Sequence, residues 1–270
     1  MAIIEVNKRR IYYEQYGDGQ TIILLHHGFG SIKMWKNVFP RFVLAGYRVV
    51  MYDRRGFGQS EDGDGFWEFY ESDHCRAESA EELRGVKRAL GIGRCHIVGQ
   101  CEGGVVGVDY AVAYPEDVET LTIASTQCYS EITMVQLNAN KFPKKFAELE
   151  PDLKAKMVEW QGDRAEIAYN HYTNYGGEYG RDYFDLRPLL PRVACPTLVL
   201  YPDRSAIFDV EQALGFYRHL LYGELAVFPK CGHNTYDQRP DEYVKAILDF
   251  MARTEGKKET QVRPTMTCLA

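Results

Sequence analysis

The sequence has no surplus of basic charge: 32 Lys and Arg stand against 38 Asp and Glu, a formal net charge of -6. Without that surplus a chain has little electrostatic footing on nucleic acid or on an anionic membrane. No apolar stretch approaches the roughly 18 residues of a membrane span, and Met1-Ala2-Ile3-Ile4-Glu5-Val6 lacks the basic-then-apolar layout of a secretory leader. The seven cysteines (Cys75, Cys95, Cys101, Cys128, Cys195, Cys231 and Cys268) include no CxxC pair and no regular spacing. An odd, scattered set does not build a disulfide framework, and it argues against a structural zinc site. These absences lead us to expect a cytoplasmic protein whose partner is a small-molecule substrate. Nucleic acid, membrane, metal and organic cofactor are not called for, and oligomeric state has no signature here.

What the chain does have is enough apolar material for one large core, 45% of 270 residues. Ile3 to Val6 and Arg10 to Gln15 alternate faces and read as an antiparallel hairpin. Thr21 to Leu25, Tyr47 to Tyr52, Cys95 to Val98, Leu121 to Ala124, Pro196 to Tyr201 and Glu224 to Pro229 read as strands. The run Thr21-Ile22-Ile23-Leu24-Leu25 is wholly apolar after its first residue, as expected of a strand covered on both faces. Met34 to Phe39 starts a helix that Pro40 is expected to interrupt or bend. Ser79-Ala80-Glu81-Glu82 matches a capping box, and Ala80, Leu83, Val86 and Leu90 follow at helical spacing. Residues 61–76 read as a surface connection with Trp67 turned inward. From about Gln127 to Pro191 the pattern changes to polar helical segments rich in aromatics.

The most informative stretch is Gly99-Gln100-Cys101-Glu102-Gly103-Gly104, between the strand Cys95 to Val98 and a helical run from Val105. Glycines on either side of a polar residue permit a sharp strand-to-helix turn, which pushes the central side chain above the sheet edge. That side chain is a thiol. The partial positive charge of a helix N-terminus is expected to lower its pKa below the free value of about 8.5. His26-His27-Gly28-Phe29-Gly30 follows the first parallel strand, Asp53-Arg54-Arg55-Gly56-Phe57-Gly58-Gln59-Ser60 follows the second, and Cys231-Gly232-His233 follows the last.

This ordered set resembles the α/β-hydrolase superfamily, whose G-x-S-x-G nucleophile elbow it matches with cysteine in place of serine. The resemblance runs from about Ile3 to Arg253. It implies an α/β fold, a mostly parallel sheet with helices on both faces and a helical cap insertion. The core would comprise residues 1–126 and 192–254, the cap residues 127–191, and residues 255–270 a flexible tail. Cys101 would be the nucleophile, His233 the general base, and the Phe29 and Glu102 amides the oxyanion hole. His26 and His27 read most simply as strand-end residues that hold a loop, and Arg54 and Arg55 as loop-stabilising. For the third triad member, Ser205 stands where the family usually carries aspartate; Asp203 is our choice, and Asp209 fits better as the cap of the next helix. His27, Trp67, Gln127, Tyr169 and Tyr172 are candidates to line the substrate pocket. The implied activity is hydrolysis of an activated carboxylic ester or lactone through an acyl-cysteine, without a cofactor. Acyl transfer by the same Cys-His pair, or ligand binding without catalysis, are the alternatives.

Overall fold

The computed structural model describes residues 2–175 and 177–254; the tail expected over residues 255–270, with Cys268, lies outside the described residues. The opening hairpin forms as its alternation implies: β1 (Ala2–Val6) and β2 (Arg9–Tyr16) pair antiparallel, Ile4 opposite Ile11. Asn7 and Lys8 turn between them at φ 51° and 63°, the positive-φ pair that suits the twist of a two-residue hairpin. The apolar runs become β3 (Thr21–Leu25), β4 (Arg48–Tyr52), β5 (Cys95–Gln100), β6 (Val118–Ala124), β7 (Thr197–Pro202) and β8 (Gly223–Phe228). They join one eight-stranded sheet in the order β1-β2-β4-β3-β5-β6-β7-β8. Pairing is antiparallel where β2 meets β1 and β4, and parallel elsewhere.

Helices cover both faces because the central strands are apolar on both. Along β3, Ile23 and Leu25 face one cluster with Leu83, Val105 and Phe216, while Ile22 and Leu24 face another with Trp35, Phe42, Tyr243 and Phe250. The helices outside the long β6–β7 connection are α1 (Phe39–Leu44), α2 (Phe66–Tyr70), α3 (Cys75–Ala89) and α4 (Glu102–Ala113) ahead of it. Within that connection lie α5 (Met134–Lys141), α6 (Pro151–Gln161) and α7 (Ala165–Tyr175). After it come α8 (Glu211–His219), α9 (Thr235–Gln238) and α10 (Pro240–Thr254). Among the described residues the connection adds no strand to the sheet, and a bridge between Tyr129 and Asp185 ties its two ends. Its short turn Gly177–Tyr179 packs on α4, and α6 packs on the 3-10 stretch Ile32–Asn37.

Two local expectations are corrected. Pro40 does not bend a helix. It lies in the first turn of α1, where a missing N–H costs nothing and the fixed φ is already helical. The Ser79-Ala80-Glu81-Glu82 box does not start its helix either, since α3 begins at Cys75. Its polar members have tertiary partners instead: Ser79 Oγ donates to Glu178 at 2.6 Å, and Glu82 accepts the Arg55 amide at 3.1 Å.

The sheet can deliver a side chain between β5 and α4 only because the backbones there nearly touch. A Cβ on Gly103 would sit 2.2 Å from the Leu25 carbonyl oxygen, and one on Gly99 would sit 2.2 Å from the Gly103 carbonyl oxygen. Backbone cannot swing aside as a side chain does. Gly103→Ala is therefore expected to destabilise the fold by about 1–3 kcal/mol, read as a lower urea midpoint with an unchanged m-value.

Candidate active site

Cys101 occupies the junction of β5 and α4 at φ 53° and ψ -117°, a conformation that costs a non-glycine residue energy. Three hydrogen bonds hold it. The Cys101 amide donates to the Ala124 carbonyl at 2.8 Å, and the Cys101 carbonyl accepts from the Gly104 amide and the Thr126 hydroxyl, both at 2.9 Å. Sγ lies 3.5 Å from Tyr179 Oη. Because that oxygen accepts the Gln127 amide at 3.3 Å, the phenol hydrogen is free to donate to sulfur.

The expected low thiol pKa is not found. Burial pushes the Cys101 thiol up to about 12, and the Glu102 carboxylate adds to the rise, against smaller downward pulls from the Tyr179 hydroxyl and the Glu102 amide. A thiolate here would lose its hydration shell, and one helix terminus does not replace it. The resting group is a neutral thiol.

His233 follows β8 on the Cys231-Gly232-His233 turn, where its carbonyl accepts Gln100 Nε2 at 3.1 Å. Burial lowers its pKa to about 4, so the ring is neutral at ordinary pH. The group against Nδ1 is Ser205, with Oγ at 3.2 Å. Asp203, our sequence-based choice of acid, is corrected on this point. Its Oδ1 accepts the Cys231 amide at 3.1 Å, and the Lys230 and Cys231 amides hold its exposed carboxyl below the usual range. Lying nearer the end of β7, it braces the turn that carries His233 and does not face the ring. Asp209 accepts the Glu211 amide at 2.9 Å, at the start of α8.

The two oxyanion candidates differ. The Glu102 amide points toward Sγ. The Phe29 amide donates to His27 Nδ1 at 3.2 Å, so His27 carries its hydrogen on Nε2 and donates it to Tyr236 Oη at 3.1 Å. Burial, then the neighbouring His233, Arg54 and Lys156 charges, lowers the His27 pKa to about 3. His26 braces the same loop: Nδ1 meets the His27 carbonyl at 2.8 Å and Nε2 accepts the Arg54 amide at 3.0 Å.

Cys101 and His233 both open onto a cavity of about 610 Å³. His27, Tyr169 and Tyr172 line it as expected, and α6 contributes Trp160. The ring of Phe29 lies 4.1 Å from that of Tyr172 and 5.6 Å from that of Tyr169. Trp67 and Gln127 do not line this cavity. Trp67 stacks on His171 at 3.6 Å, because the connection that holds it coils into α2 and packs outside α7. Gln127 is buried below, its amide on Tyr179 and its Nε2 donating to the Tyr129 carbonyl at 3.1 Å.

What sequence reasoning missed is the anchor beneath the site. Arg54 is fully buried and reaches two buried carboxylates, Glu102 at 3.1 Å and Glu178 at 3.0 Å. The Glu178 amide closes the ring by donating to Glu102 at 2.8 Å. One cation cannot neutralise two desolvated carboxylates, so both are held above the ordinary carboxylate range. Arg54 was legible as a loop-stabilising residue; Glu178, in an unpatterned stretch, carried no signal. Among the described residues no group of three or more His, Cys, Asp or Glu is placed to hold a metal, and no helix is long and apolar enough to cross a membrane.

The sheet order and the strained turn between β5 and α4 define an α/β-hydrolase fold, with Cys101 on that turn and His233 after β8. Comparison with known proteins agrees. The sequence matches the family described as alpha/beta hydrolase fold over residues 20–149. It is 26% identical to a 2-hydroxy-6-oxononadienedioate/2-hydroxy-6-oxononatrienedioate hydrolase of Comamonas testosteroni, over 90% of this chain and 91% of that protein. It is 25% identical to a 2-hydroxy-6-oxo-6-phenylhexa-2,4-dienoate hydrolase of Burkholderia cepacia, over 90% and 91%. The enol-lactonase from Burkholderia xenovorans LB400 superposes with a TM-score of 0.74 at 19% identity, over 93% of this chain and all 100% of that one. The chain has the α/β-hydrolase fold, an eight-stranded, mostly parallel sheet covered by helices.

Two measurements follow from the electrostatics. With the thiol pKa pushed up to about 12, iodoacetamide should alkylate Cys101 at pH 7.5 at least about tenfold more slowly than it alkylates glutathione, the rate climbing with pH. Glu102 binds its proton more tightly folded than unfolded, so its contribution to stability is full below the ordinary carboxylate pKa and is lost as pH rises through neutral. Urea midpoints of the wild type are accordingly expected to fall relative to those of Glu102→Gln between about pH 5 and pH 8.

Proposed function

We propose that the protein is a hydrolase of small activated acyl compounds, esters or lactones, working through an acyl-Cys101 intermediate. The observation that carries this reading is the joint opening of Cys101 and His233 onto one cavity beneath the β6–β7 connection. In it, sulfur attacks the carbonyl carbon, the imidazole handles the thiol proton, and the Glu102 amide stabilises the oxyanion together with the Phe29 amide once that is released from His27. Water on the same imidazole then frees the acid. Residues 127–191 act as a cap, with Tyr169, Tyr172 and Trp160 packing on the substrate's apolar part. Cytoplasmic operation and independence from any cofactor fit this chemistry.

A neutral thiol facing a neutral imidazole is a weak resting nucleophile, which favours substrates with good leaving groups. The named activities of the relatives, on 2-hydroxy-6-oxo dienoates, and of the structural neighbour, an enol-lactonase, lie in that range of activated carbonyl compounds. Ser205 in the acid's place supports a second reading, a ligand-binding relative that has lost turnover.

Intact mass after brief incubation with activated esters, enol lactones, thioesters and a 2-hydroxy-6-oxo dienoate separates the readings. The proposed activity gives an acyl adduct that Cys101→Ala abolishes, that forms about 10²–10⁴-fold more slowly in His233→Ala, and that water discharges. An adduct stable until an amine or alcohol is added would make the protein an acyltransferase. Ligand-induced thermal stabilisation with neither adduct nor product across the panel would leave binding as its function.

A further inference from the structure

The bonds around Ser205 decide where the His233 hydrogen lies. A hydroxyl oxygen has one hydrogen to give and two lone pairs with which to accept. Ser205 Oγ accepts the Ile207 amide at 3.2 Å and the Phe208 amide at 3.1 Å, and these two donors take both lone pairs. Its third neighbour is His233 Nδ1 at 3.2 Å. A hydrogen on Nδ1 would set three donors against two lone pairs and leave the hydroxyl hydrogen without an acceptor in this cluster. A bare Nδ1 satisfies every atom.

We infer that Ser205 donates its hydroxyl hydrogen to His233 Nδ1, so that the resting imidazole carries its own hydrogen on Nε2. This is the reverse of what a carboxylate would impose. An acid in that place accepts only, keeps the hydrogen on Nδ1, and leaves Nε2 bare to take the nucleophile's proton. Ser205 is thus a positioning residue that makes His233 a hydrogen-bond donor on its cavity side at rest.

The catalytic consequence rests on the acyl-Cys101 reading. Attack by the thiol forms the S–C bond and breaks the S–H bond; the carbonyl π pair moves to oxygen and returns as the bond to the leaving group breaks, and the released proton needs an acceptor that can pass it to that leaving group. Nε2 with its hydrogen in place is not one. The ring must first pass that hydrogen to solvent and take one at Nδ1, with the Ser205 hydroxyl turned away, before Nε2 can accept the thiol proton. When serine proteases lose the carboxylate that holds the correct tautomer, kcat drops about 10⁴-fold. The wild-type site therefore reacts only with acyl groups whose own leaving group is good, an enolate or a thiolate, and discriminates against alkyl esters.

Long-range ¹H–¹⁵N correlations of histidine-labelled protein near pH 7 read the tautomer directly, His233→Ala identifying the signals. A protonated Nε2 with a bare Nδ1 is the expected pattern; a protonated Nδ1, an even mixture or an imidazolium overturns the inference. Ser205→Asp is expected to move the hydrogen to Nδ1 and to speed iodoacetamide alkylation of Cys101 at least about tenfold. An unchanged tautomer in that variant would remove Ser205 as its cause, and if the variant does not fold the wild-type spectrum alone decides. Because the spectrum needs no substrate, the two readings fail separately. Absence of any adduct would sink the acyl-cysteine mechanism and leave the tautomer standing, whereas a protonated Nδ1 beside normal adduct formation would do the reverse.

Discussion

A single guanidinium, buried between two carboxylates, holds the site together. Arg54 comes from the loop after β4, Glu102 from the first turn of α4, and Glu178 from the far end of the β6–β7 connection. Desolvating three charges is expensive, and such clusters are poor evidence of net stability. Their use here is geometric. Of the residues flanking the anchor, Cys101, just before Glu102, lines the cavity, and Tyr179, just after Glu178, meets its Sγ at 3.5 Å. The anchor fixes the position of sulfur relative to the phenol, and the strain at Cys101 persists because Ala124, Gly104 and Thr126 leave its backbone no other place.

The electrostatics of the cavity are those of a dry, neutral interior. Burial pushes the thiol up to about 12 and both nearby imidazoles down, His233 to about 4 and His27 to about 3. A thiolate–imidazolium pair, of the kind that makes some cysteine enzymes reactive before substrate arrives, is not sustained, because the Tyr179 hydroxyl and the Glu102 amide do not offset burial. On the acyl-Cys101 reading, charge is created during the reaction, where the turn's amides and the phenol hydrogen can meet it. Selectivity then falls to the substrate's own leaving group, and unwanted oxidation of the thiol is suppressed by the same neutrality.

Much of this was legible in the chain, for identifiable reasons. The runs Thr21 to Leu25 and Cys95 to Val98, mostly apolar, specify strands buried on both faces, and Gly99 and Gly103 specify a turn that tolerates no Cβ. Cys101 and His233 stand out because they follow such strands directly. The misreadings at the site involve contacts between segments distant in sequence. Whether Asp203 or Ser205 meets His233 depends on a register of two residues in one loop, settled by the Lys230 and Cys231 amides. Trp67 and Gln127 looked like pocket residues until α7 and Tyr179 came between them and the cavity. The thiol pKa was misjudged because a helix terminus is visible in sequence while depth of burial is not.

The same anchor sets the mechanics of the roof. The β6–β7 connection is tied down at its trailing end, where Glu178 is gripped by Arg54 and Ser79 in a fully buried cluster. Its middle is tied to the core as well, at the end of α6: Gln161 Nε2 donates to the Phe29 carbonyl at 3.0 Å and the Gly30 carbonyl at 2.7 Å, and its Oε1 accepts the Gly58 amide at 2.9 Å. A roof pinned in two separate places holds its register over the sulfur. The cavity that reaches the sulfur is lined by Lys144 and Met157 and not by Tyr179, so the phenol supports the thiol from behind and leaves its cavity side to a ligand.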